Sequence, residues 1–287
     1  MKKLILLSAI ASIVLFACKK DKSTTTATPP NLVFKFKFDS TQVRLNNLGQ
    51  PATVPTGHAA QSPVFYGMSS HYIELTPSAN TPVGGGKVIY NSPTTHAGGD
   101  TAIDFSKAII KGNGETFFSI PISSVSAGTY QYLRVSLAYQ NYDILFYYNG
   151  TKITGRLASF IGYDNYVTQY KIKDSTVTVN ASKKQGYWGF ETIYGVTKGQ
   201  AHAGATTVVN PISSTSPIPP GSCLVTGAFQ TPLTITGNET ADVVVTVSLS
   251  TNKSFEWKDS NGNGLYEPLT GDTVVDMGIR GMIPIVQ

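Results

Sequence analysis

Cysteine is scarce in this sequence. Only Cys18 and Cys223 occur among its 287 residues. Cys18 ends an N-terminal apolar stretch that is typical of a secretory signal, which gives it a role of its own, so no intramolecular disulfide is expected. The fold must therefore be held together by packing alone, and the simplest interpretation of Cys223 is a small buried apolar residue rather than a catalytic nucleophile.

The part of the sequence after residue 22 also lacks a large excess of positive or negative charge. The chain has 22 basic and 17 acidic residues, a net charge of +5. Five basic residues and one acidic residue, Asp21, precede residue 23, which leaves 17 basic and 16 acidic residues for the remainder. So small an excess creates no field that would attract a phosphate backbone, and nucleic acid is not an expected partner. The five basic residues are Lys2, Lys3, Lys19, Lys20 and Lys22.

Motifs that would identify a reaction are also lacking. The sequence contains no Gly-x-Ser-x-Gly elbow, no His-Glu-x-x-His motif and no phosphate-binding loop. The closest histidines, His58 and His71, are 13 positions apart, so there is no local metal signature. His96 shares a turn-rich segment with Asp100 and Asp104, but acid–base catalysis there would need another carboxylate facing them across a cleft. We therefore expect a protein that is not an enzyme.

The first eighteen residues carry the clearest signal that is present. A short basic start is followed by an apolar or small-residue run, residues 4–16, which is too short to span a bilayer comfortably. The ending Leu15-Phe16-Ala17-Cys18 resembles the lipobox of bacterial lipoproteins. This resemblance implies that residues 1–17 are a signal peptide that is removed, and that Cys18 becomes a palmitate-bearing N-terminus that anchors the protein to a membrane.

Residues 18–30 are expected to form a lipidated, disordered tether. The stretch is polar and ends in two prolines, and its twelve residues after Cys18 reach at most about 40 Å. Lys19 stands where retention at the inner membrane would favour aspartate. By resemblance to outer-membrane lipoproteins of Bacteroidota, the expected destination is the outer membrane, at its periplasmic face or at the cell surface.

From residue 31 onward, apolar and polar residues alternate with the period of two that is typical of half-buried strands. The pair Asn149-Gly150 between two such stretches predicts a hairpin with a type I′ turn. Helical periodicity is confined to one short turn near residues 102–110. The sequence thus predicts an all-β fold, an antiparallel β-sandwich of many short strands in a single domain, residues 31–287. The alternative is a boundary within the Pro- and Ser-rich stretch 210–222.

The sharpest local motif begins at Asp259. Oxygen-bearing side chains occupy loop positions 1, 3 and 5, and Gly264 at position 6 allows the sharp turn of an EF-hand-type calcium loop. Position 12 is Thr270 instead of glutamate. The alternative is an Asn- and Gly-rich turn whose side chains bond their own backbone. The proposed calcium ligands are Asp259, Asn261, Asn263, the carbonyl of Leu265, Glu267 and Asp272.

Aromatic residues near predicted strand ends supply candidates for ligand binding. Exposed aromatic rings stack on sugar faces, although most aromatic residues of β-proteins fill the core or pair across strands. The candidates are Tyr163, Tyr166, Tyr187 and Trp188. A second metal hypothesis brings the histidines His58, His71, His96 and His202 together with Met68 or Met277 as a copper site.

Two stretches are similar to the MbnP-like β-sandwich family: Phe34-Lys-Phe-Lys-Phe38, and Ser126-Ala-Gly-Thr-Tyr-Gln-Tyr-Leu-Arg134. That resemblance implies a β-sandwich that binds a ligand in the periplasm or at the surface, sometimes copper. Our primary hypothesis is a non-enzymatic, lipid-anchored envelope protein that binds a glycan or a protein partner. The alternatives are a metal-binding module, with calcium at the Asp259 loop or copper at converging histidines, and a glycan hydrolase.

Overall fold

The computed structural model describes residues 29–46, 49–201 and 223–287. The signal peptide, Cys18, all but the last two residues of the predicted tether, His202 and the Pro- and Ser-rich stretch 210–222 lie outside this part of the chain. Within the described part, no helix is long and apolar enough to cross a membrane.

The regular structure of the described residues consists of strands and three single 3₁₀ turns, so the all-β prediction is confirmed. The strands are β1 (Asn31–Asp39), β2 (His58–Gln61), β3 (Val64–Thr76), β4 (Lys87–Asn91), β5 (Thr94–Thr95), β6 (Ala102–Asp104), β7 (Thr116–Pro121), β8 (Gly128–Tyr148), β9 (Thr151–Phe160), β10 (Asn165–Lys171), β11 (Thr176–Lys183), β12 (Tyr187–Thr192), β13 (Gly195–Gln200), β14 (Cys223–Ile235), β15 (Val243–Ser250), β16 (Phe255–Lys258), β17 (Thr273–Asp276) and β18 (Met282–Val286). The 3₁₀ turns are Phe105–Lys107, Ile122–Ser124 and Pro268–Thr270.

These strands form four sheets. The largest has the order β13-β12-β9-β8-β3-β4, and β14 also pairs with β8. Two four-stranded sheets have the orders β18-β15-β1-β7 and β11-β10-β6-β5, and the smallest sheet has the order β17-β16-β2. Most neighbours are antiparallel, while β1 with β15 and β6 with β10 are parallel. Strands before and after the Pro- and Ser-rich stretch share sheets, because β14 pairs with β8, β15 with β1 and β16 with β2.

The long strand β8 organises the largest sheet. Its first half, up to Leu137, pairs with β14, and its second half, from Tyr139, pairs with β9. The predicted hairpin joins β8 to β9: Asn149 and Gly150 both have positive φ angles, 49° and 74°, as a type I′ turn requires. Because β8 also pairs with β3, this one strand has three partners.

Apolar side chains on the two faces of this sheet enter two separate cores. The larger core contains the alternating residues of β1, of which Phe34 and Phe36 have no exposed surface. The smaller core lies toward β10 and β11 and is centred on Phe160, whose ring is 4.9 Å from Phe105 and 5.4 Å from Tyr170, centroid to centroid. A sheet covered on both faces buries consecutive residues of its strands, which is the burial pattern of β3 and β8.

A buried ionic cluster fastens the smallest sheet to its surroundings. Glu256 on β16 accepts hydrogen bonds from Arg44 and, at 3.1 Å, from Arg280, and its other oxygen lies 2.5 Å from Nδ1 of His58. Arg280 also pairs with Asp276 at 2.5 Å. These five residues come from β2, β16, β17 and two loops, and both Arg44 and Glu256 are buried. We refer to them as the Glu256 cluster.

Candidate functional site

An apolar cavity of about 250 Å³ lies between the largest sheet and the smallest one. Leu157, Trp188 and Phe190 line it from β9 and β12. Phe255 and Val274 line it from β16 and β17. Protein cores are normally packed without voids of this size, so an opening here is a feature of the fold that calls for an occupant.

Glycines on neighbouring strands make room for the aromatic rings of this cavity. Trp188 is paired with Gly199 of the edge strand β13, and a Cβ atom at Gly199 would lie 2.6 Å from Cζ2 of the indole. A Cβ atom at Gly155 on β9 would lie 2.2 Å from Cζ of Phe190. Each ring therefore lies close against bare backbone, and both rings line the cavity.

The opposite wall is an aromatic cluster around Tyr266. Its ring centroid is 5.2 Å from that of Phe255 and 5.4 Å from that of Trp257. Burial raises the pKa of the Tyr266 phenol to about 12, so the group is neutral at any physiological pH. Gln200 is a polar lining residue, and no charged side chain of the described residues lines the cavity. The site is thus suited to a neutral, apolar group.

The four aromatic residues predicted to bind a ligand do not form one surface. Trp188 lines the apolar cavity, whereas Tyr187 points to the opposite face of the sheet, because neighbouring residues of a strand alternate. Tyr187 is only 6% exposed and packs against Phe160 and Tyr170, at centroid distances of 5.7 and 6.0 Å. The alternation of side chains along a strand is enough to place these two neighbours on opposite faces of the sheet.

The other two predicted aromatics lie elsewhere. Tyr163 donates a hydrogen bond to the carbonyl of Thr101, and its ring centroid is 6.1 Å from that of His71. Tyr166 on β10 is paired with Ser182 on β11. Tyr163 thus contacts the residue that precedes β6, and Tyr166 lies between β6 and β11 in the same sheet. Neither residue lines the apolar cavity. The four residues thus belong to separate environments.

No family model, curated protein or solved structure matches the chain. Its function therefore has to be argued from its own geometry.

The predicted calcium loop is closed by its own hydrogen bonds. The Asp259 carboxylate accepts from the backbone N–H groups of Gly262 at 2.9 Å and Gly264 at 2.7 Å. Asn261 and Asn263 each accept from the N–H two residues further on, at 3.1 and 2.8 Å, as in Asx turns. Both features belong to the alternative interpretation, a turn whose side chains bond their own backbone. Oδ1 of Asp259 also accepts from Asn263 at 3.3 Å, whereas Oδ2 accepts one N–H group, from Gly264, and keeps lone pairs for a metal.

The remaining proposed ligands of the loop fall into two groups. The side-chain amides of Asn261 and Asn263 both donate to Oε2 of Glu267, at 3.0 and 2.7 Å, so these three side chains converge. Asp272 lies further back, where its carboxylate accepts from the N–H groups of Ser260 and Glu267 at 2.9 and 2.7 Å. The carbonyl of Leu265 belongs to the same turn. Asp272 therefore closes the base of the loop.

The described histidines do not converge. His58 belongs to the Glu256 cluster, and His96 lies 3.4 Å from the hydroxyl of Thr101. His71 is buried, and desolvation lowers its pKa to about 4, which keeps the imidazole neutral. Of the predicted copper partners, Met68 is buried in the larger core and Met277 lines the apolar cavity. Within the described ranges, no three His, Cys, Asp or Glu residues are grouped so as to hold a metal.

Two further residues singled out by the sequence have structural surroundings. Asp104 accepts hydrogen bonds from the N–H and hydroxyl of Ser106, at 3.2 and 2.6 Å, and so caps the first 3₁₀ turn. Cys223 begins β14, and burial raises the pKa of its thiol to about 12. A neutral thiol of this kind is a poor nucleophile, in keeping with a packing role.

Sequence reasoning singled out two residues of the apolar cavity, Trp188 as a ligand-binding residue and Met277 as a partner for copper. It missed the opposite wall, because Phe255, Tyr266 and Val274 are ordinary core residues in a local reading. The one usable signal was glycine inside a strand, at Gly155 and Gly199, since such glycines mark a close approach of another group.

Proposed function

We propose that this protein is a non-enzymatic, lipid-anchored binding protein of the bacterial cell envelope, and that its ligand site is the apolar cavity beside Trp188. The observation that carries the proposal is an opening of about 250 Å³ lined almost entirely by apolar side chains. Cys18 supplies the anchor in this proposal, and the outer membrane, at its periplasmic face or at the surface, is the proposed location.

The lining sets the class of ligand. An apolar cavity of about 150 Å³ accepts benzene, so a volume of about 250 Å³ has room for a neutral bicyclic ring or a short acyl chain. A sugar is a poor occupant of this cavity, because its hydroxyl groups would lose water without gaining partners. A carboxylate or an amine inside the cavity would be disfavoured more strongly, since no opposite charge lines it.

A neutral fluorescent probe tests the cavity. N-phenyl-1-naphthylamine, which becomes bright in apolar surroundings, is expected to bind residues 23–287 at one site. Val274→Trp projects a large ring into the cavity and is expected to weaken binding by about tenfold or more, because the volume for the probe is lost. The measurement is a fluorescence titration of both proteins.

The matched control is Val196→Trp, the same exchange at a residue of β13 that is 40% exposed and does not line the cavity. It should bind the probe as the unaltered protein does. Equal affinity in the Val274→Trp protein, with its thermal unfolding intact, would show that the probe binds elsewhere and would remove the support for the cavity. A glycan or protein ligand that binds the Val274→Trp and Val196→Trp proteins equally well would also remove the support for the cavity as the ligand site.

A second proposal concerns calcium at the Asp259 loop, and the observation that favours it is the approach of the Asn261 and Asn263 side-chain amides to the Glu267 carboxylate. The amide N–H groups face Glu267, so in this proposal Ca²⁺ replaces those two hydrogen bonds and each amide rotates to present its oxygen to the metal. Calorimetry with Ca²⁺ is expected to show one site per chain. Glu267→Gln keeps the shape of the side chain but removes its charge, and is expected to weaken Ca²⁺ binding by about tenfold or more.

Glu239→Gln is the control for the calcium experiment, because Glu239 is likewise a carboxylate that accepts hydrogen bonds in a turn. Its donors are the backbone N–H groups of Thr236 at 2.6 Å and Gly237 at 3.0 Å. It should leave Ca²⁺ binding unchanged. Absence of heat with Ca²⁺ for the unaltered protein, or the same heat with both variants, would identify the loop as a self-bonded turn without a metal.

A further inference from the structure

A second cavity, of about 350 Å³ and open to solvent, lies on the other face of the β12–β13 hairpin. Thr178 and Lys183 line it from β11, Tyr187 from β12, and Lys198 and Gln200 from β13. Tyr187 pairs with Gln200, and Gly189 pairs with Lys198, so these side chains share the face of the sheet opposite Trp188. We refer to this opening as the lysine cavity.

The charge of the lysine cavity is not balanced by the protein. Lys183 lies over the ring of Tyr187, with its Nζ 4.8 Å from the ring centroid. Neither Lys183 nor Lys198 forms an ion pair with an acidic residue in the described part of the chain. No Asp or Glu of that part lines the cavity either. Two ammonium groups that border one concave surface repel each other and attract an anion.

The remaining lining identifies what carries the anion. Thr178 offers a hydroxyl group. The side-chain N–H of Gln200 donates to the carbonyl of Gln185 at 2.7 Å, so Gln200 offers its amide oxygen, which accepts from hydroxyl groups. A water molecule occupies about 30 Å³, so an opening of about 350 Å³ is much larger than a simple oxyanion needs. The anionic group therefore belongs to a polar organic molecule rich in hydroxyl groups.

We propose that the lysine cavity binds a uronic acid, with the ammonium groups of Lys183 and Lys198 on its carboxylate. Thr178 and Gln200 then contact its hydroxyl groups, and the rim of Tyr187 packs beside its ring. Lysine suits this task because it is a compact point charge whose flexible stem can follow a carboxylate. Gln200 of the edge strand β13 borders both openings, but the other lining residues differ, and the two openings take different classes of ligand.

Titration of residues 23–287 with three small molecules tests the proposal, with binding followed by calorimetry or by NMR shifts. Glucuronate is expected to bind. Glucose lacks the carboxylate and inorganic phosphate lacks the sugar, so each is expected to bind about tenfold more weakly or not at all. Added salt should weaken glucuronate binding because the attraction is between exposed charges. Equal binding of glucose, or of phosphate, would overturn the assignment to a uronic acid.

Variants locate the site. Lys198→Met and Lys183→Met are each expected to weaken glucuronate binding by about tenfold, since each removes one charge-assisted contact. Lys152→Met, an exposed lysine of β9 outside the cavity, is the control and should have no effect. Lys198→Glu brings in the opposite charge at an exposed position and should abolish binding without unfolding the protein. Unchanged affinity in Lys198→Glu would refute the site.

Two comparisons complete the design. A galacturonate oligomer that binds more tightly than the monomer would identify a polymer as the source of the uronic acid, and the reverse order would identify the free sugar. The naphthylamine probe distinguishes the two sites: Lys198→Met should bind it normally, and Val274→Trp should bind glucuronate normally. A negative result for one cavity therefore does not affect the result for the other cavity.

Discussion

Replacing Glu256 with glutamine is expected to lower the free energy of unfolding by about 3 kcal/mol or more, the largest effect on stability that we predict. Glu256 is 3% exposed and is the only carboxylate in contact with Arg44 among the described residues. Glutamine has nearly the same shape, so packing changes little. The loss arises because two guanidinium groups keep their burial but lose a counter-charge.

Two opposing effects set the pKa of the Glu256 carboxyl group, its burial and its contacts with positively charged groups. Burial by itself would raise the pKa of Glu256, but the hydrogen bond from His58 and the charges of Arg44 and Arg280 outweigh it and hold the pKa below its ordinary value. Because the folded pKa is the lower one, ionised Glu256 stabilises the fold above the pKa of the unfolded chain. That contribution is lost as the pH falls through the folded pKa.

Denaturant unfolding at several pH values measures this prediction. The difference between the unaltered protein and Glu256→Gln should be largest near neutral pH and should narrow as the solution becomes acidic, since glutamine does not titrate. Glu115→Gln is the control, an exposed carboxylate that accepts one hydrogen bond, from Gly112 at 2.8 Å, and it should cost less than about 1 kcal/mol. A similar small loss for Glu256→Gln would show that the cluster contributes little to stability.

Replacing Cys18 with serine is expected to abolish the incorporation of labelled palmitate and to release the protein from the membrane fraction. The thiol is the proposed acceptor of the lipid, and serine offers no equivalent group. In this proposal the lipid chains hold the protein at the membrane, so their loss is expected to release it. Metabolic labelling followed by fractionation of envelopes measures both effects.

Cys223→Ser is the matched control for that experiment. The chain has two cysteines, and Cys223 lies in β14, where burial raises the pKa of its thiol. It should incorporate palmitate and fractionate with membranes as before. Membrane association of the Cys18→Ser protein at an undiminished level would remove the lipid anchor, and with it the proposed place of this protein in the envelope.

Local features were predictable wherever the sequence fixes the backbone directly. Asn149-Gly150 predicted its turn because both residues accept positive φ angles. The alternation along β1 predicted one apolar face with Phe34, Phe36 and Phe38, of which Phe34 and Phe36 are buried and Phe38 is half-buried. The same period of two separates Tyr187 from Trp188, so a shared sugar-binding surface could have been excluded from the sequence. The partner of each strand was not predictable in this way.

Long-range assembly explains why the sites were missed. The Glu256 cluster joins residues 44, 58, 256, 276 and 280, which no local window contains. The lysine cavity likewise depends on the lateral approach of β11 to the β12–β13 hairpin. Such contacts follow from sheet order, and sheet order depends on many weak packing preferences summed over the whole chain.

By itself, the sequence determined an all-β chain, its turns, the faces of its strands and the chemical case for an anchor at Cys18. These follow from backbone sterics, from period-two alternation and from local composition, which act over a few residues. The tertiary structure alone decided that β8 pairs with β3, β9 and β14, that Trp188 faces an apolar cavity and that Lys183 and Lys198 border one opening. The reason is that cavities form between sheets, so their walls come from residues that are distant in the chain and meet only after folding.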